Sequence, residues 1–546
     1  MDRRTAPFLL SFVLAVGALA QPVIRTGSAP PPVLNAASYI GPELGLGAGI
    51  AQGSIFALFG SGFGASDSFA QATTFPLSKT LGGVSVQVTA GGVAVDAIML
   101  NVYYGQVIEA LLPSATPVGS GTITVSYGGV TSAPATVQVV PSSFGIYAAN
   151  LRGIGQATAT DASYTPNSII HTFHPGDAVI LWGTGLGPVT WDETNPPTAA
   201  ELSGGLDIPT EVYVGNTTAV VDYHGRSGCC SGLDQIVFTV PDGVEGCYVP
   251  VAVKAGAVLS NIATIAISSS GNTCSDSIIG QDLIAKLAAG QTVAFGWIEL
   301  DTVAGADYGS ATFDQITPAS AELASYGVSP GYCIATEGSE GNGPYLGDLS
   351  SPGLDAGATI TLSGFTGKSS FPESPDTGLY FSQIYTNNYY LGWAGETYTL
   401  SNGTGGANVG PFSASIEIPP VGSAINNISE NAILPRSSDL TVKWNTGAFE
   451  PDNPGVLGGV SMVFDSNLNL EAYTELQCNV SILAGQFTIP AWVLSFLEPS
   501  GPTVDGNSSG YIWLFQYGTP VTFSATGLDK GIITADMVTW VPVSFQ

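Results

Sequence analysis

The strongest constraint on this chain is that it carries one pattern twice. Residues 53–64 read GSIFALFGSGFG and residues 176–187 read GDAVILWGTGLG, so Gly60, Gly62 and Gly64 find counterparts in Gly183, Gly185 and Gly187, with Gly53 matching Gly176 and Leu58 matching Leu181. The correspondence continues from GQVIEALLPSATPVGSGTITVSYGGVTSAPATVQV (105–139) to LDQIVFTVPDGVEGCYVPVAVKAGAVLSNIATIAI (233–267). That alignment sets Gln106 against Gln235, Pro113 near Pro241 and Ser132 against Ser260. A period of about 125 residues describes two copies of a domain, because solenoid repeats run roughly 20–50 residues.

Each copy reads as β structure. In TITVSYGGVTSAPATVQV, Ile123, Val125 and Tyr127 share one face, Gly128-Gly129 reverses the chain, and Ala135, Val137 and Val139 alternate on the return, which is the pattern of a hairpin. Short strands at this spacing without helices between them imply an antiparallel sandwich of the immunoglobulin-like kind. The glycines invite comparison with a dinucleotide-binding loop, which needs a helix directly behind it to hold the pyrophosphate. Here ASDSFAQATTFP follows the first copy, and Pro188 stands in the second where Ala65 stands in the first. Gly60, Gly62 and Gly64 are therefore read as turn or close-packing glycines at a strand end.

The stretch VLNAASYIGPELGLGAGIAQGSIFALFGSGFG, followed by LGGVSVQV, GDAVILWGTGLGPV and GRSGCCSGLDQIVFTVPDGVEGCYVPVAVKAGAVLSN, resembles the Solibacter-type uncharacterised C-terminal domain family of exported acidobacterial proteins. That family is itself similar to the IPT/TIG immunoglobulin-like domains. The resemblance covers about residues 33–275 and implies an extracellular β module without established catalytic residues. In this chain about 270 residues follow a module whose family is named for a C-terminal position.

That second part, residues 276–546, holds six of the eight tryptophans and reads as further strands in GATITLSGF, ETYTLSNG, FSASIEIPP, DLTVKWNTG, GQFTIPAWVLSFL and GYIWLFQYG. Only SDSIIGQDLIAKLAAG suggests a helix. The expected organisation is a signal peptide over 1–20, a linker over 21–32, immunoglobulin-like sandwiches over 33–142 and 143–275, and a larger antiparallel β-sandwich over 276–546. The fold class is all-β.

The N-terminal stretch MDRRTAPFLLSFVLAVGALA has Arg3 and Arg4, an apolar run and the small-residue pattern Ala18-Leu19-Ala20, which predicts export with cleavage near Ala20 to a secreted or periplasmic location. No later stretch is apolar enough to predict membrane insertion. Lys and Arg number 12 against 42 Asp and Glu, and the resulting net charge of -30 excludes nucleic acid as a partner. In an exported chain the six cysteines predict disulfides rather than a metal site. Cys333 is expected to bridge Cys478, while Cys229 and Cys230, as neighbours too close for relaxed bridge geometry, are each expected to pair with Cys247 or Cys274.

Catalytic patterns fail on their chemistry. GVSPG (327–331) imitates a nucleophile elbow around Ser329, but Pro330 lacks the N–H needed for an oxyanion hole, and His171, His174 and His224 all precede the serine. The three histidines lack a helical metal-ligand spacing and are read as loop residues. DSNLNLE (465–471) opens like a calcium loop, yet Leu470 and Leu476 occupy the glycine and glutamate positions, so a hairpin turn is expected. No catalytic residue, metal or cofactor follows from these patterns. A glycosidase would need two facing carboxylates, and the sequence singles out no pair. The expected function is a non-enzymatic structural or adhesive protein with an extracellular protein or glycan ligand. The alternative is a carbohydrate-binding protein stacking sugars on aromatics of LYFSQIYTNNYYLGW, namely Tyr385, Tyr389, Tyr390 and Trp393, although Tyr389, Leu391 and Trp393 also fit one buried strand face.

Overall fold

The computed structural model describes residues 21–26, 31–39, 49–151, 153–276, 278–303, 306–321, 327–338, 353–364, 369–373, 378–384, 396–419, 424–446, 459–466, 473–500 and 510–546. Over these residues the chain is an all-β assembly with a few short helices.

Strands from Val23 to Val140 form two six-stranded sheets. One runs Val23–Ile24, Ile55–Ser61, Val107–Leu111, Ile98–Tyr103, Phe69–Gln71, and the other Ile50–Ala51, Ala135–Val140, Gly119–Tyr127, Val84–Ala90, Val93–Asp96. Alternation does the sorting: Phe56, Leu58 and Ile108 of the first sheet meet Val84, Val86, Val88, Ile123 and Val125 of the second in one buried core. Each such side chain contributes about 1.5–3 kcal/mol relative to exposure. The anticipated hairpin is present, with Tyr127 opposite Val130 across Gly128 and Gly129, whose φ values of 58° and 83° suit the tight turn.

The strands from Gly145 to Ile267 repeat the pairing order. Ala178–Thr184 lies beside Asp234–Thr239 as Ile55–Ser61 lies beside Val107–Leu111. At the sheet edge Ile24 is opposite Gly60, and Ile146 is opposite Gly183. A Cβ on Gly60 would strike the carbonyl oxygen of Val23 and the ring of Phe63, and one on Gly183 would strike the carbonyl oxygen of Gly145 and the ring of Phe144. Close approach is what demands glycine at both positions.

Ser132 Oγ accepts the Val125 N–H at 3.1 Å, and Ser260 Oγ accepts the Val253 N–H at 2.9 Å, so the aligned serines make the same bond. The register corrects one expected pairing. Phe59 is opposite Val107 and Trp182 is opposite Gln235, which puts Gln235 in the place of Val107 rather than Gln106. The two arrangements also differ in one respect. Within Thr217–Arg226, residues 217–219 pair with Thr210–Val214 and residues 220–226 pair, with a bulge between Val221 and Tyr223, with Asp234–Thr239, so this strand joins the two layers into a single nine-stranded sheet.

The remaining strands build a ten-stranded sheet in the order Tyr332–Gly338, Tyr473–Ser481, Gly459–Ser466, Gly510–Tyr517, Lys530–Phe545, Val293–Val303, Ala306–Ile316, Leu379–Ile384, with Ala432–Leu434 and Val521–Phe523 also on Lys530–Phe545. It departs from the antiparallel expectation, because Lys530–Phe545 runs parallel to Val293–Val303 and to Ala432–Leu434. The final strand enters between elements distant in sequence, and the long connection allows either direction.

The inner face of this sheet has two covers. A four-stranded sheet buries Ile360, Leu362, Tyr398 and Leu400 against Ile298, Leu300, Phe313 and Ile533. The Leu440–Lys443 and Gln486–Ile489 ribbon, with the Ala491–Leu494 helix, buries Val442, Ile489 and Leu494 against Leu476, Ile512 and Leu514. That helix divides GQFTIPAWVLSFL, which the sequence presents as one strand. Pro490 has no N–H to give a ladder and its fixed φ suits a helix entrance. The anticipated helix spans Gln281–Ala288.

The cysteines form three bonded pairs. Cys333 is the cross-strand partner of Cys478 and is bonded to it. In the cluster the expected pairing is overturned, since Cys229 bonds Cys230 and Cys247 bonds Cys274. The physical reason is topological. Cys229 and Cys230 lie in the turn before Asp234–Thr239, and Cys247 follows the opposite end of that strand, roughly 20 Å away at about 3.3 Å per residue.

Candidate functional site

The outer face of the ten-stranded sheet gathers most of the chemistry. In Gly510–Tyr517 every second side chain is buried, so Ile512 and Leu514 enter the core while Tyr511, Trp513, Phe515 and Tyr517 point outward, half-buried. The neighbouring strand places Trp540 directly opposite Trp513, and Trp540 is 43% exposed. The three rings form a cluster, with centroids 5.7 Å apart for Tyr511 and Trp513, 5.6 Å for Tyr511 and Trp540, and 5.9 Å for Trp513 and Trp540.

Further along the same face stand carboxylates. Tyr517 is opposite Asp536, Asp536 is opposite Asp301, and Asp301 is opposite Tyr308. In the adjacent row Thr534, Glu299, Ser310 and Phe381 are successive partners. Tyr308 and Phe381 stack at 6.1 Å, and Phe381 is 56% exposed. The face thus runs from an aromatic cluster through acids to a second aromatic pair. Its other end is closed where Phe295 and Ile532 pack with Leu283 and Ile284 of the Gln281–Ala288 helix, beside the 2.8 Å hydrogen bond that Trp297 Nε1 donates to Thr534.

Burial, reinforced by the Asp301 charge, pushes the Glu299 carboxyl up to about 8, and burial lifts Asp301 to about 6. The Tyr517 hydroxyl is pushed well above its ordinary range by burial first and then by Glu299, Asp536 and Asp301. No ion pair among the described residues reaches Glu299 or Asp301. Among the described residues no group of three His, Cys, Asp or Glu side chains is placed to hold a metal ion.

The residues singled out in the sequence fall elsewhere. Tyr385, Tyr389, Tyr390 and Trp393 lie outside the described residues. From the same segment the described strand Leu379–Ile384 forms an edge of the sheet, with Tyr380 buried and Phe381 outward. Ser329 is buried in a turn, where its hydroxyl accepts the Tyr248 N–H at 2.8 Å. His171 is exposed, and His174 places its ring nitrogens on Asp177 at 3.1 Å and on the Gly271 carbonyl at 2.7 Å. His224 is a strand residue rather than a loop residue, and burial lowers its pKa. Asp465 is next to last in Gly459–Ser466, which pairs antiparallel with Tyr473–Ser481, as a hairpin requires, while residues 467–472 lie outside the described residues.

What the sequence reading missed is the register that brings Trp513 to Trp540 and Asp536 to Asp301. Its available signal was the alternation Phe295, Trp297, Glu299, Asp301 against Ile298 and Leu300.

No protein-family model and no curated protein matches the chain. Among solved structures, domains 5–6 of the S-layer protein SbsC are similar at 15% identity over 46% of this chain and 100% of that one, with a TM-score of 0.16. The SGBP-B of a complex xyloglucan utilization locus in Bacteroides uniformis is 11% identical over 85% of this chain and 86% of its own, with a TM-score of 0.16. Immunoglobulin domains 1–4 of Sidekick-1 are 8% identical over 91% and 95%, with a TM-score of 0.12. These likenesses concern fold class alone. Among the described residues no helix is long and apolar enough to cross a membrane.

Proposed function

We propose that this is an exported, non-enzymatic surface protein that binds glycan on the outer face of its ten-stranded sheet. Residues 33–142 and 143–275 are, in this reading, duplicated immunoglobulin-like units of the kind the Solibacter-type resemblance implies, and they carry the 276–546 domain. The shared pairing order and the matching roles of Ser132 and Ser260 support duplication. Three bonded cysteine pairs support an oxidising, extracellular setting reached after cleavage near Ala20. The engaged hydroxyl of Ser329 supports the non-enzymatic reading.

The observation that carries glycan binding is the cluster of Tyr511, Trp513 and Trp540, three rings held by paired strands on a solvent-facing surface. Rigid aromatic faces bury large apolar area at low entropic cost and suit the apolar faces of sugar rings. The test is an oligosaccharide-array screen of the full chain, followed by calorimetry on the best ligand with Trp513→Ala and Trp540→Ala. Each substitution is expected to weaken binding by about tenfold or more, the scale of a central aromatic contact, while leaving the unfolding midpoint nearly unchanged. Absence of any glycan ligand, or unchanged affinity in both variants, overturns the proposal.

A further inference from the structure

The acids on this face point to the class of glycan. Glu299 and Asp301 are two residues apart on one strand and share a face, roughly 6.7 Å from one backbone position to the other. Asp536 is beside Asp301 on the next strand. No ion pair among the described residues reaches either acid, and Lys530 and Lys286, toward the helix end of the sheet, are engaged there, Lys530 donating to the carbonyls of Ile278 and Ile279 at 2.9 and 3.0 Å and Lys286 pairing with Asp529 at 2.8 Å. The raised carboxyls of Glu299 and Asp301 are what a half-buried acidic site produces when no described cation pairs with it.

Building on the glycan reading above, we infer that this face selects a glycan bearing free amino groups, a glucosamine polymer by its chemistry, over neutral and acidic glycans. Aromatic rings stand on both sides of the acids, with Tyr517 and Trp513 on one strand and Tyr308 and Phe381 across the sheet. The distance from Gly510–Tyr517 to Leu379–Ile384 is four strand spacings, roughly 19 Å at about 4.8 Å each, which is room for several sugar units. A protonated amine is drawn by the Asp301 carboxylate, by Glu299 as the bound cation favours release of its proton, and by the faces of the aromatic rings. A uronate in the same position meets like charge.

The experiment compares glucosamine tetrasaccharide, its fully N-acetylated form, cellotetraose and tetragalacturonate by calorimetry against the full chain at about pH 7, where the amine retains a protonated fraction. The free-amine oligomer is expected to bind about tenfold tighter than its acetylated form. That preference should collapse in Glu299→Gln/Asp301→Asn while the affinity for the acetylated oligomer holds. Each single substitution is measured as well, with thermal unfolding to verify folding, and added salt should narrow the preference in the parent protein alone. Equal binding of amine and acetylated oligomers, or a preference that survives the double substitution as a general effect of the acidic chain, overturns the inference and leaves glycan binding standing. If none of the four oligomers nor any array glycan binds, the underlying glycan reading itself fails.

Discussion

Buried or half-buried acids occur in two regions of this protein with opposite treatment. Where the first two sandwiches meet, Asp234 is fully buried and is met by the Arg226 guanidinium in a direct ion pair, while its other oxygen accepts the Leu186 N–H at 2.8 Å. Arg226 is held in turn by the Gly53 carbonyl at 2.8 Å from one sandwich and the Gly187 carbonyl at 2.6 Å from the other. Thr184 extends this joint, accepting the Ile55 N–H at 2.9 Å and donating to the Gly232 carbonyl at 2.7 Å. On the outer C-terminal face, Glu299 and Asp301 have no such counter-charge among the described ion pairs. The difference separates an acid used to fasten two bodies from acids presented to a surface. Burial pushes the Asp234 carboxyl upward too, but Arg226 and backbone N–H groups oppose it, whereas only burial and mutual repulsion act on Glu299.

The largest test of that contrast removes the counter-charge at the joint. Arg226→Ala leaves Asp234 buried without its cation and is expected to cost about 3–5 kcal/mol, read from the denaturant midpoint. Arg226→Met combined with Asp234→Leu should recover part of the loss, because it removes the unpaired charge but leaves the Leu186 N–H and the Gly53 and Gly187 carbonyls without these partners. A loss below about 1 kcal/mol for Arg226→Ala would place the fastening of the joint in Asn35, Thr184 and the Ser114–Glu193 contact instead.

The joint and the face were unequally legible in the sequence. Strands showed because alternation in stretches such as Val84–Ala90 follows from one buried and one exposed face. Gly60 and Gly183 showed because a carbonyl and a ring leave no room for a side chain at either position. The functional face was hidden by the same rule. Gly510–Tyr517 is apolar on both sides, so the sequence identifies the strand without telling whether Ile512 and Leu514 or Trp513 and Phe515 face the core. Glu299 and Asp301 acquire meaning only when Lys530–Phe545, more than two hundred residues later, brings Asp536 beside them. The Cys229–Cys230 bond is not legible because the separation of Cys229 and Cys230 from Cys247 depends on the course of Asp234–Thr239, which residue spacing alone does not give.

A smaller effect comes from the outer face. The Glu299 carboxyl stands at about 8 in the folded protein, above its ordinary value of 4.5, so the folded state keeps a proton that the unfolded chain has released. Its contribution is present below about pH 4.5 and is lost as pH rises through about 8. Glu299→Gln, which keeps the shape and omits the ionisation, should match the parent protein near pH 4. It should be more stable near pH 9 by about 1–2 kcal/mol, a figure reduced from the full shift because the face is partly solvated. Unfolding midpoints across this range check it. A variant that gains nothing at high pH would mean that Glu299 has a compensating partner after all, and the contrast with Asp234 would disappear.

The smallest expected effect returns to the joint and concerns Cys229 and Cys230. They are exposed in the turn between Arg226 and Asp234, whereas Cys247, Cys274, Cys333 and Cys478 are buried. A disulfide stabilises chiefly by removing entropy from the unfolded chain, in proportion to the logarithm of the loop it closes. The Cys333–Cys478 bond has a sequence separation of 145 and the Cys229–Cys230 bond a separation of 1, so the adjacent pair restricts almost nothing beyond its own dipeptide. The turn has other supports, since Ser227 donates its N–H to the Leu233 carbonyl at 2.8 Å and Ser231 Oγ donates to the Asn195 carbonyl at 3.1 Å. Cys229→Ser/Cys230→Ser should therefore shift stability by under about 0.5 kcal/mol, the range of ordinary surface substitutions. A short exposure of the folded protein to a dithiol reductant, followed by alkylation and peptide mass analysis, should label this pair well before the other four cysteines. A loss of several kcal/mol in the double serine variant would show that the bonded pair holds Arg226 in place, making the disulfide part of the joint rather than an ornament on its surface turn.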